Sequence, residues 1–209
     1  MVVGMSAAQA VVISSATNNP YAFNWSFNSA AGVLSGTGSM TLSGFNSSSL
    51  TVAITLNNTS ALSSNRLTSF GFGIDPNATS ISFSDPQGND GGMTGATLDN
   101  IPSLNAIEVC AWGGQNCSGG ANGGINGGAS DSFSVILGGN WGNQVDIAPI
   151  GFKYQTGSGS FEFTTASSTT TTSTSGGNLV PEPLSATLVG LGLAIAGLTT
   201  ARRRREAAA

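Results

Sequence analysis

Apolar and polar residues alternate along much of the first 164 positions. In 21–28 the alternation puts Tyr21, Phe23, Trp25 and Phe27 on one face. In 50–56 it does the same for Leu50, Val52, Ile54 and Leu56, and in 39–43 for Met40 and Leu42. Segment 67–74 contributes Phe70, Phe72 and Ile74. A period of two is that of a half-buried strand. Shorter segments of the same kind lie at 80–84, 106–111, 132–137, 147–154 and 159–164. Gly, Asn, Asp, Pro and Ser, the residues of tight turns, fill the gaps between them. No segment before 184 carries helical periodicity with caps. The pattern predicts eight or nine short strands in an all-β domain over 11–164, a single sandwich or jelly-roll-like fold.

The pattern then changes twice. Eleven of the twelve residues in 164–175 are Ser or Thr, and glycines follow. Such a run cannot bury a core, so 165–179 reads as a disordered linker that tethers the domain. Next come Val180, Pro181, Glu182 and Pro183, an uncharged stretch over 184–200, and the cluster Arg202, Arg203, Arg204 and Arg205. A helix of 17 residues covers roughly 25 Å, just short of a typical hydrocarbon core. The alternative, a buried core helix, fits poorly with a place between a low-complexity run and four arginines. A transmembrane helix fits, and its arginines set the orientation: positive flanks stay cytoplasmic, so the β-rich body lies across the membrane.

The order Pro-Glu-Pro, hydrophobic span, arginine cluster is similar to the PEP-CTERM sorting signal of Gram-negative bacteria, over residues 180–205. The resemblance implies recognition by an exosortase, a membrane-embedded processing enzyme, with cleavage near 181–183. It implies a transient single-pass precursor in the inner membrane and a mature form at the cell surface or outside it. Its context is bacteria that make exopolysaccharide and biofilm.

A body sorted in this way needs export by the Sec translocon. The first ten residues, MVVGMSAAQA, end in Ala8-Gln9-Ala10, the small-x-small pattern read by signal peptidase. They lack a basic start, and their apolar stretch is short. Residues 1–10 read as the remnant of a truncated signal peptide, with a mature chain from Val11, or else as a surface strand leading into the body. The tail favours the first.

Charge narrows the functional classes. Only 8% of residues are charged and there is no histidine, which excludes Ser-His-Asp, Cys-His and HExxH chemistry. Up to residue 180 the basic residues are Arg66 and Lys153, against eight acids. Two cations cannot neutralise a phosphate backbone, so nucleic acid is not a partner of the body. The acids are Asp75, Asp85, Asp90, Asp99, Glu108, Asp131, Asp146 and Glu162. A glycosidase would need two of them facing each other across a cleft. Turns of an acidic β-domain account for them equally, and the reading is non-enzymatic with no cofactor. Asp85 and Asp90 bound an oxygen-rich turn, DPQGND. It is a weak calcium candidate, without the residue order of an EF-hand loop, and a hydrogen-bonded turn is the simpler account.

Cys110 and Cys117 are the two cysteines, in CAWGGQNC. Outside the cytoplasm a close, even pair reads as a disulfide. Free thiols or thiol chemistry are the alternatives. Trp112 either stacks on a sugar ring or tucks beside this pair. The repeat GGAN-GGIN-GGAS follows at 119–130. It lacks the GK[ST] of a phosphate-binding loop. It reads as a long surface loop with positive-φ glycines, or as a contact surface for a polysaccharide or partner.

Segment 107–128, the later strand 132–137, IGFKYQ at 150–155 and LTSFGFGID at 67–75 together resemble the cistern family of PEP-CTERM proteins. That family is named for its sorting signal and has no assigned biochemical activity. Here Asn122, Ile125 and Asn126 interrupt what is a purer glycine run in the family. The function expected is that of an exported, exosortase-processed surface or matrix protein associated with exopolysaccharide. The alternative is a secreted carbohydrate-binding or carbohydrate-cleaving module.

Overall fold

The computed structural model describes residues 11–14, 20–88, 91–119 and 122–165. Several sequence expectations lie outside these residues. They are the signal-peptidase site at Ala8 and Ala10, Asp90, and the linker beyond Thr165. The sorting motif Val180, Pro181, Glu182 and Pro183, the span 184–200 and Arg202, Arg203, Arg204 and Arg205 lie outside as well. Among the described residues no helix is long and apolar enough to cross a membrane.

The described chain is all-β. Its strands are β1 (Val11–Ser14), β2 (Tyr21–Ser29), β3 (Gly32–Ser43), β4 (Ser49–Asn58), β5 (Arg66–Asp75), β6 (Ala78–Ser84), β7 (Gly95–Leu98), β8 (Val109–Trp112), β9 (Ser130–Gly139), β10 (Gln144–Thr156) and β11 (Gly159–Thr165). They form two antiparallel sheets. One has five strands in the order β2-β3-β4-β9-β6. The other has six, β1-β10-β5-β8-β7, with β11 also paired to β10. β1 and β11 both pair with β10: β1 along residues 144–147 and β11 along 150–156.

The sheets pack face to face as a sandwich, as the alternation predicts. Phe23, Trp25, Met40, Val52 and Ile54 from the five-stranded sheet meet Phe70, Phe72, Phe152 and Tyr154 from the other in one apolar core. Trp25 stacks on Phe152 with ring centroids 4.3 Å apart, and Phe27 stacks on Phe163 at 4.6 Å. Aromatic pairs at such distances add to the gain from burial.

β2 and β4 keep the period-two pattern because only their inner face is covered. β5 does not, since every residue from Leu67 to Ile74 is buried. Its second face is covered by the connection 99–108, whose Ile101, Leu104 and Ile107 form a small second core with Cys110, Cys117 and Trp112. Glycines make room for this cap. A Cβ on Gly71 would lie 2.5 Å from Ile107 Cγ2, and one on Gly151 would lie 2.9 Å from Ile107 Cδ1.

Among the described residues eleven strands stand where eight or nine were expected, β1 and β7 being unanticipated, and several boundaries differ, three of them with a clear cause or consequence. The strand expected at 106–111 is Val109–Trp112, because residues 106–108 belong to the cap. β3 starts at Gly32 rather than near Ser39. Its inward glycines, Gly36 and Gly38, lie under the rings of Trp25 and Phe23 and interrupt the apolar signal. β11 runs one residue past the expected domain end, with Thr165 opposite Ile150.

Candidate functional site

The cysteine and glycine segment caps the sandwich at the end of β5 that carries Arg66. Cys110 sits on β8 and Cys117 in the following loop, both buried, bonded to each other with Cα atoms 6.1 Å apart. The loop between them is held from below. Gly113 N–H donates to the Thr68 carbonyl at 3.0 Å, and the Ser69 hydroxyl donates to the Cys117 carbonyl at 3.2 Å. Trp112 is half-buried against the disulfide cluster, and a Cβ on Gly95 would lie 2.7 Å from its Cζ2. One side of the ring is thus occupied by the protein, the tucked alternative rather than a free stacking platform.

The glycine repeat is knitted into the body. Leu67 and Ile125 exchange backbone hydrogen bonds, each 2.9 Å. Ile125 is the repeat's buried anchor. A Cβ on Gly124 (φ +110°) would lie 2.5 Å from the Leu67 carbonyl oxygen, and one on Gly127 would lie 2.6 Å from that of Ser60. These glycines serve close approach as much as turning.

Asn58, fully buried at the end of β4, ties this loop to both sheets. Its Nδ2 donates to the carbonyls of Asn65 and Ile125, each at 2.8 Å. Its Oδ1 accepts from Ser60 N–H and from the Tyr154 hydroxyl, each at 3.1 Å. Tyr154 in turn accepts from Trp25 Nε1 at 2.9 Å. Burial pushes the Tyr154 hydroxyl up to about 12, opposed in part by its hydrogen bonds with Trp25 and Ser60.

The two basic residues of the body both serve this end. Arg66 Nη1 donates to the Asn122 carbonyl at 2.6 Å. Lys153 is buried and ion-paired with Glu162, its cross-strand partner on β11. A Cβ on Gly119 would lie 3.0 Å from Lys153 Cε, so the lysine stem supports the loop from beneath.

The carboxylates are spread among local tasks. Asp85 Oδ1 accepts from Gln87 N–H at 2.8 Å, the hydrogen-bonded turn anticipated for that segment. Asp131, buried on β9, accepts from Met93 N–H at 2.6 Å. Glu108 accepts from Ile74 N–H at 3.2 Å. Asp75 and Asp146 are register partners across β5 and β10. Among the described residues no three of Asp, Glu, Cys or His gather as a metal site.

A feature that sequence reasoning passed over is the outer face of the five-stranded sheet. Its outward positions are Ser, Thr or Asn almost throughout, the exceptions being Ala22, Val33, Ala53, Ile136 and Gly138. The single charged residue in those five strands, Asp131, turns inward. A shallow depression of about 390 Å³ lies on this face across β2, β3 and β4, bordered by Asn24, Thr37, Ser39, Thr55 and Asn57. The signal was present in the sequence as the polar half of the alternation.

No family model, no curated protein and no solved structure matches the chain.

Proposed function

We propose that the protein is an exported, non-enzymatic surface or matrix component, sorted by its C-terminal segment and associated with extracellular polysaccharide. The observation that carries this reading is the order of Val180, Pro181, Glu182 and Pro183, an uncharged span and Arg202, Arg203, Arg204 and Arg205. Exosortase is the processing partner, and the inner membrane is a transient one.

Two properties of the folded region support the reading. The Cys110–Cys117 bond suits an oxidising compartment. Asp85, Glu108 and Asp131 each accept a backbone N–H, and Glu162 pairs with Lys153, as structural acids do.

The test is expression with and without a matching exosortase, followed by mass spectrometry of the mature protein. Loss of everything beyond about residue 183 only when the exosortase is present is the expected result. A mature C-terminus that still holds residues 184–209 would overturn the sorting assignment.

A further inference from the structure

We infer that the outer face of the five-stranded sheet is the docking surface for a neutral polysaccharide strand. This rests on the proposed matrix role and names the part of the molecule that would carry it.

The argument starts from charge. Folded domains keep roughly a quarter to a third of their surface positions charged. Here five adjacent strands point no charged side chain outward: seven of the body's eight acids lie outside them, and the eighth, Asp131, turns inward. Acidic polymers and nucleic acids find no cation on it. A protein partner finds no outward-pointing aromatic or arginine anchor, the groups on which such interfaces rely; Phe23, which also lines the depression, is a core residue, and the exposed large apolar side chains of the face are the separate Val33 and Ile136. A neutral sugar polymer needs none of these. It presents hydroxyls, and hydroxyl and amide side chains both donate to and accept from them.

Geometry gives the face a centre. Asn24, Thr37 and Asn57 are register partners across β2, β3 and β4. At about 4.8 Å between strands, the two amides stand roughly 10 Å apart with the Thr37 hydroxyl between them. All three are exposed and border the depression of about 390 Å³. In the neighbouring row the Thr55 and Ser132 hydroxyls bond to each other at 3.0 Å, which fixes their orientation. Side chains this short lose little rotamer freedom when they are covered. No carboxylate faces the depression, so the surface is built to hold a glycan and not to cleave it.

The experiment is affinity electrophoresis of the exported chain through gels containing neutral glucan, galactan or mannan, or anionic polygalacturonate. Retardation by at least one neutral polymer is expected, unchanged between about 0.05 and 0.5 M salt, with none by polygalacturonate. The double variant Asn24→Asp, Asn57→Asp should weaken retardation at least tenfold, and Thr37→Val should weaken it measurably. Asn143→Asp, off this face, should not. Near-UV circular dichroism of each variant reports whether the fold is kept. Retardation by polygalacturonate alone, by no polymer, or equally in the double variant overturns the inference. So does a dimer in sedimentation that the double variant dissolves, since the face would then belong to a second copy. Failure here with a correctly trimmed C-terminus leaves the sorting reading standing, and the converse result separates the two in the other direction.

Discussion

The indole Nε1 of Trp25 donates to the hydroxyl of Tyr154 at 2.9 Å, across the two sheets and 129 positions apart in sequence. The same hydroxyl donates to Asn58 Oδ1, and Asn58 holds the glycine loop through the Ile125 carbonyl. One polar chain thus crosses an otherwise apolar core and ends at the cap. Tyr154→Phe leaves a buried indole N–H and one contact of the Asn58 oxygen unmet. A loss of about 1–3 kcal/mol is expected in urea unfolding.

The same tyrosine predicts an alkaline limit. Its folded value of about 12 lies above the ordinary 10.0, so the native state holds this proton more tightly than the unfolded chain. The associated stability is complete below pH 10 and is lost as pH rises toward 12, at most about 2–3 kcal/mol. Tyr21→Phe makes Tyr154 the only tyrosine. Its tyrosinate absorbance should then appear near pH 12 in the folded protein. A midpoint near 10 without unfolding would contradict this.

Lys153 and Glu162 make a buried pair, with side chains 6% and 15% exposed. Lys153→Met alone strands the carboxylate and should cost about 3–5 kcal/mol. Adding Glu162→Gln should restore most of it. Chemical denaturation of both variants checks the order.

Reduction of Cys110–Cys117, or its replacement by serines, opens a loop with a sequence separation of seven. The chain-entropy estimate is a loss of roughly 2–3 kcal/mol. Because the cap rests on both cysteines, proteolysis of the reduced protein should begin within 99–128.

Two glycines separate packing from freedom. Gly124→Ala places a Cβ at positive φ, 2.5 Å from the Leu67 carbonyl oxygen, and should cost about 2–3 kcal/mol. Gly157→Ala meets nothing within 4 Å and should be neutral or stabilise by up to about 1 kcal/mol. Thermal midpoints of the pair test the distinction.

The sandwich was legible where one face meets solvent, as in β2 and β4, because alternation then reports burial directly. It was less legible in β5, which is covered on both sides. It was obscured in β3, where glycines replace apolar residues beneath Trp25 and Phe23. β7 escaped notice because Gly95–Leu98 is four half-buried residues with no alternation. In the candidate site, the cysteine pair could be read from spacing, whereas spacing left Trp112 open between a free stacking face and a place beside the pair, which its packing decides. Asn58 could not be read in this way: a polar residue ending an apolar strand looks like a surface turn, and two of its four partners, Ile125 and Tyr154, come from distant segments. Ile125 was visible only as an interruption of a glycine run, yet it is the residue that anchors the run.

β1 and β11 run in the same direction along one side of β10. Within the described residues β11 reaches Ile150, and β1 pairs from Ile147 on, about 10 Å further along. The two are halves of one interrupted strand. A two- or three-residue splice from Thr165 to Val11 would fuse them, and the sandwich could then be opened at any turn to give a circular permutant. It also means that a load applied through Thr165 enters at the middle of the sheet edge, beside the first residue of β1, and peels β11 from β10 one residue pair at a time.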